Sequence, residues 1–123
     1  MTAQTQSRTP HSDSVARTLA RIRLDFVNGL FPLINEMENQ RHMLEHDSSN
    51  PSRALASLQR CTHRISGIAG SVGFSVLGQK AGRLDAMLCE LLKRTHDHRE
   101  IAALQAPLED LLGAMEAVLD DNL

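Results

Sequence analysis

The chain has 123 residues, of which 41% are hydrophobic and only 2% aromatic, with no Trp or Tyr and a formal charge of −2. That length gives one domain able to build a core without a metal or disulfide staple. Interspersed charges and scarce aromatics argue against nucleic-acid binding, and no apolar run approaches the roughly 20 residues that span a bilayer.

Residues 1–14 (MTAQTQSRTPHSDS) are polar, lack the apolar centre of a signal peptide and are expected to form a disordered tail before a domain at 15–123. A cytoplasmic, stand-alone protein is the expectation, with Cys61 and Cys89 as reduced thiols. Leu19, Ile22, Phe26, Leu30, Leu33 and Met37 recur at helical spacing, and Pro32 predicts either a kink or a boundary after a short first helix. HDSSNPSR (46–53) is a break, with Asn50 and Pro51 suited to cap and start the next helix.

Three further stripes alternate spacings of three and four. They are Leu55, Leu58, Thr62, Ile65, Ala69 and Val72; then Leu77, Ala81, Leu84, Leu88 and Leu91; then Ile101, Leu104, Leu108, Leu111, Met115 and Val118. GSVGF (70–74) and THDHRE (95–100) are the intervening connections. Leu, Ile, Val, Met and Ala supply the core, strand-forming runs are missing, and short connections force neighbours to run antiparallel. The expected fold is all-α: an antiparallel up-down four-helix bundle with a short or kinked N-terminal helix.

One stretch departs from a plain helical bundle. In THRISGIAGSVGF (62–74) a histidine precedes three glycines, although each glycine costs a helix interior roughly 1 kcal/mol against alanine. His63 lies about 160° around the helix from buried-stripe Ile65, and so faces solvent. Gln59, Arg60, Ser66 and Gly67 share its face, with Gly70 one turn further. The small residues on its C-terminal side leave bare backbone beside the imidazole, where a large partner can come close.

These residues resemble the signature of the histidine-containing phosphotransfer (HPt) domains of two-component phosphorelays. In that family the histidine is followed by Leu or Ile at the second position, Lys at the third, Gly at the fourth and Gly at the tenth. His63, Ile65, Gly67 and Gly73 match those offsets, and Leu84–Asp85 fall where the family has Leu with Glu or Gln. FVNGLFPLINEM resembles the family's first long helix, and the likeness spans about residues 15–120. Ser66 stands where the family has its lysine, a group thought to neutralise the phosphoryl charge. Arg60, Arg64, Lys80 and Arg83 are the candidates to replace it.

The resemblance implies a phosphocarrier, not an enzyme: His63 accepts a phosphoryl group from a receiver-domain aspartate and passes it to another receiver. Neutral imidazole is a good nucleophile near neutral pH, and the transfer needs chiefly in-line positioning. No cofactor is expected on this chain; Mg²⁺ would sit on the partner's receiver domain, in a hybrid histidine kinase or a response regulator. Nothing resembles an ATP site, so autophosphorylation is not expected. A docking patch of Arg60, His63, Ser66, Gly67 and Gly70 beside Asp85 is expected on a monomer, with Asp85 able to orient the ring and Gly73 letting the chain turn. An HPt-like adaptor that binds receivers without transfer is the alternative reading.

Two rival chemistries are weaker. His42 and His46 share a helical face and His96 and His98 form a second pair, but no further ligands complete a metal set. Ser66, Ser71 and Ser75 neighbour His63 without a base and orienting group to make a hydrolase.

Overall fold

The computed structural model describes residues 10–46, 50–94 and 97–122. Helix α1 runs Pro10–His46, α2 Pro51–Ala69, α3 Ser75–Leu92, α4 His98–Ala102 and α5 Gln105–Asp121, with a 3-10 turn at Gly70–Val72. The chain is all-α, and no strand occurs among the described residues. Helix α2 packs most extensively on α3; α1 packs on α2 and α5, and α5 closes the ring against α3. Short links set these four long helices antiparallel in sequence order, the expected bundle.

Its core follows the predicted stripes. Leu30, Met37, Leu55, Leu58, Thr62, Ile65, Ala69, Leu77, Ala81, Leu84, Leu88, Leu104, Leu108, Leu111 and Met115 are all buried. Thr62, the polar member, satisfies its hydroxyl by donating to the Gln59 carbonyl at 3.1 Å. At the N-terminal end the pattern misleads: Leu19 and Ile22 belong to the same stripe yet are exposed, as are Val15 and Leu24. Helix α1 is the longest of the helices, and among the described residues its N-terminal turns bury none of their apolar side chains before Phe26.

Three expectations about boundaries are corrected. Helix α1 starts at Pro10, not at residue 15, because proline's fixed φ suits a first turn; of the expected tail, residues 1–9 lie outside the described residues. Pro32 creates no boundary: α1 is one helix of 37 residues that carries it inside, so of the two alternatives the short first helix is the one that does not occur. The final stripe is split into α4 and α5 at Ala103–Leu104. Pro107 explains that break. It has no N–H for the Ala103 carbonyl, and its ring clashes there, whereas in the first turn of α5 it costs little.

His98 was expected in a loop, but it opens α4. Asp97 caps that helix by accepting from the Glu100 amide at 3.0 Å, and Glu100 accepts from the Asp97 amide in return. Asn50 precedes α2 with Pro51 in its first turn, as expected, but its side chain makes no capping bond. Residues 47–49 and 95–96 of the two predicted breaks, His96 included, lie outside the described residues. No described helix is long and apolar enough to cross a membrane.

Candidate functional site

The α2–α3 pair carries the histidine. Helix α2 ends at Ala69, and the chain reverses through the 3-10 turn to Gly73, whose φ of 96° is left-handed. Only glycine adopts that conformation cheaply, which accounts for the last glycine of the motif. From α1, Arg23 fastens the turn: it donates to the Val72 carbonyl at 2.8 Å and lies 4.2 Å over the Phe74 ring. The turn sets α3 antiparallel to α2 and carries Asp85 back alongside His63.

Two glycines of α3 outside the motif face α2, and at Gly78 the helices approach too closely for an easy side chain. A methyl group on Gly78 would stand 3.3 Å from the Gly70 amide nitrogen, and one on Gly82 would stand 3.7 Å from Ser66 Oγ. Their spacing of four, placing both on one face of α3, was the signal available in the sequence. By contrast, a methyl on Gly67 or Gly70 would meet nothing within 4 Å. Those two glycines leave open space on the side of α2 that carries the imidazole.

His63 is 74% exposed, and its Nδ1 lies 3.1 Å from Asp85 Oδ2. Asp85 is only 17% exposed, so the ring stands in solvent while its carboxylate partner is lodged between helices. The other carboxylate oxygen is also engaged. Gln59 Nε2 donates to Asp85 Oδ1 at 2.8 Å, and the Cys89 thiol approaches the same oxygen at 3.7 Å. Burial alone would push the Asp85 carboxyl up. The hydrogen bonds from Gln59 and His63, the charge of His63 and the Cys89 thiol together hold it below its ordinary value.

Helical geometry separates the remaining residues into two flanks. Gln59 and Ser66 lie roughly 40° and 60° to one side of His63, and Arg60 and Gly67 roughly 60° and 40° to the other. The first flank faces α3, as the Asp85 and Gly82 contacts require. The second faces α1, where Glu36 Oε1 accepts from Ser57 Oγ and Gln40 Nε2, each at 3.0 Å. These bonds, aided by the charge of Arg60, hold the Glu36 carboxyl below its usual range.

The candidate cations therefore part company. Arg64 lines a groove between α1 and α2 with Ile22, Phe26 and Ile68, and Arg60 acts towards Glu36. Arg83 is exposed on α3. Lys80 is turned to α5 instead, where its Nζ lies 2.6 Å from Asp110 Oδ2. Lys80 stands two residues from both Gly78 and Gly82, about 160° round α3 from the face those glycines turn to α2, and so points away from the His63 contact in this structure. Ser66 is half-buried at the helix contact and brings no charge.

Gln59 is the member of the site that sequence reasoning left among the neighbours of His63; its spacing of four from the histidine was visible, but not the carboxylate it meets. The rival metal pair behaves differently. His42 and His46 are in ring contact, with centroids 4.2 Å apart, and among the described residues no three His, Cys, Asp or Glu side chains gather as a ligand set. Cys61 and Cys89 are free thiols, and burial pushes the Cys61 thiol up, with the Glu36 charge adding to it.

A comparison with protein-family models matches residues 21–118 to the Hpt domain. No curated protein and no solved structure matches the chain.

Proposed function

The chain belongs to the Hpt domain family, the histidine phosphotransfer modules of two-component phosphorelays, and from that premise we propose that it is a phosphocarrier whose reacting atom is His63 Nε2. The observation that carries this reading is the pairing of an exposed ring with a lodged carboxylate: Nδ1 faces Asp85 Oδ2 at 3.1 Å, which leaves Nε2 directed away. With the proton on Nδ1 donated to Asp85, the lone pair resides on Nε2.

The step balances without a base. Nε2 attacks the phosphorus of a receiver's aspartyl phosphate; the N–P bond forms, the P–O bond to the receiver breaks, and its carboxylate leaves with the electron pair. The ring keeps its Nδ1 proton and becomes cationic, a charge that the Asp85 carboxylate opposite Nδ1 stabilises. Passing the group on reverses these events at a second receiver, and the electrons return to Nε2. Receiver carboxylate, phosphorus and Nε2 must come into line at near-attack distance, which the open backbone at Gly67 and Gly70 permits.

Arg60, Arg64 and Arg83 are the basic groups that remain for the docking surface or the phosphoryl oxygens, with Ser66 in the lysine's place. The receivers of a hybrid histidine kinase and of a response regulator are the proposed partners, met by a cytoplasmic monomer. The test is incubation with phosphorylated receiver domains, then with unphosphorylated ones. Wild type should take up acid-labile, alkali-stable label and release it to a second receiver, and His63→Gln should take none. A wild type that binds receivers but never acquires label from any of them would sink the relay in favour of an adaptor.

A further inference from the structure

Asp85 is a short side chain at a position where a longer acid or amide is usual in the resembled family, and its terminal torsion is intrinsically soft. Left alone, its carboxylate could rotate and present either oxygen, or neither, to His63. The structure shows a specific restraint. Gln59 reaches from the preceding turn of α2 and donates from Nε2 to Oδ1 at 2.8 Å, a shorter contact than the 3.1 Å one from Oδ2 to His63. Gln59 is itself half-buried between the helices, so its amide is held by packing.

We propose that Gln59 is a positioning residue for His63, acting through Asp85 to fix the ring's orientation and to keep its proton on Nδ1. The inference rests on the phosphocarrier reading for its consequence but not for its geometry. By occupying Oδ1, the Gln59 amide leaves Oδ2 as the acceptor for the ring. The Nδ1–H tautomer is thereby selected over Nε2–H, and the lone pair stays on the exposed nitrogen. Gln59 makes no contact with the phosphoryl group in this arrangement; its influence passes entirely through the carboxylate. The hydrogen bonds that hold the Asp85 carboxyl below its ordinary value, with that of Gln59 the strongest of them, fit this role.

Gln59→Met keeps length and helix propensity while deleting the donor. The experiment compares full-length wild type, Gln59→Met, Asp85→Ala and the double variant. It reads ¹⁵N chemical shifts of the His63 ring in the free protein and the rate of label uptake from a phosphorylated receiver. In wild type the Nδ1–H form should dominate. Gln59→Met should mix the two tautomers and slow uptake roughly tenfold, by analogy with the loss when the partner that orients a metal-ligating histidine is removed. In the Asp85→Ala background the Gln59 substitution should change neither reading, since the path between them is already cut.

Ring signals unmoved by Gln59→Met, or a full Gln59 effect without Asp85, would overturn the proposal. The circular-dichroism spectrum and urea midpoint identify any variant that has lost its fold, and Gln59→Leu then supplies the same deletion with a second side chain. Should wild type take no label while the tautomers respond as described, the phosphocarrier reading falls and the positioning role of Gln59 stands.

Discussion

His63 Nδ1 and Asp85 Oδ2 stand 3.1 Å apart across two antiparallel helices, although 22 residues of chain separate them. Everything between them serves that meeting. The left-handed Gly73 reverses the chain, Arg23 pins the reversal, and Gly78 lets α3 approach α2 closely at the turn from which Asp85 is carried back to the ring.

The pH dependence of stability follows from the same carboxylate. The folded Asp85 gives up its proton more readily than the unfolded chain does, so its contribution is complete above the ordinary carboxyl value near 4. It is lost as pH falls through the lower folded value. Urea unfolding of wild type and Asp85→Asn from pH 6 down to pH 2.5 should show a stability gap that is constant above about pH 5 and narrows in acid. A gap that widens in acid would contradict the shift.

Gly67→Leu should separate fold from function. A side chain there meets open space, and leucine is the better helix former, so stability should rise by about 0.5–1 kcal/mol in urea unfolding. Phosphoryl uptake from a receiver should fall more than tenfold, because the branched side chain stands in the path of the partner. Unimpaired uptake would show that receivers do not pass over this part of α2.

Gly73→Ala should do the reverse. The backbone at φ 96° is unfavourable for an L-residue, and the new methyl would lie 2.8 Å from Arg23 Nη1, which is engaged by Val72 and Phe74. A loss of about 1–2 kcal/mol is expected from the conformation, with the displacement of Arg23 added. Chemical denaturation measures it, and an unchanged midpoint would mean that the turn relaxes into another form.

The charge at the site can be probed from two directions. Lys80→Met should leave phosphoryl transfer unchanged and cost under about 1 kcal/mol, since its ammonium pairs with the exposed Asp110 on α5. Ser66→Lys places a cation on the flank of His63 and should speed uptake several-fold, provided that the lysine head reaches out past Gly82. Transfer that drops with Lys80→Met would return Lys80 to the site.

Much of this molecule was legible in its residues. The stripes of α2 and α3 were read directly, and His63 stood opposite them by spacing alone. What spacing could not reveal is where a helix runs out of close neighbours: Leu19 and Ile22 continue a perfect apolar pattern into turns where both side chains stay exposed. Nor did it weigh Pro107, whose effect falls four residues upstream at Ala103, or the Asp97–Glu100 capping pair that converts a loop into α4. Of the two outcomes Pro32 allowed, a boundary did not occur, because a helix packed against its neighbours continues across one lost hydrogen bond.

The sequence by itself determined the helical class, the buried stripes, the exposed histidine and the glycines beside it, because periodicity and backbone freedom are local properties written in neighbouring residues. Only the tertiary structure decided which distant groups meet that histidine. It brought Asp85 to the ring and to the Gln59 amide, and sent Lys80 to Asp110. The reason is geometric: a helix rotates each side chain by about 100° per residue, so the facing of one helix on another selects among candidates that sequence distance leaves equal.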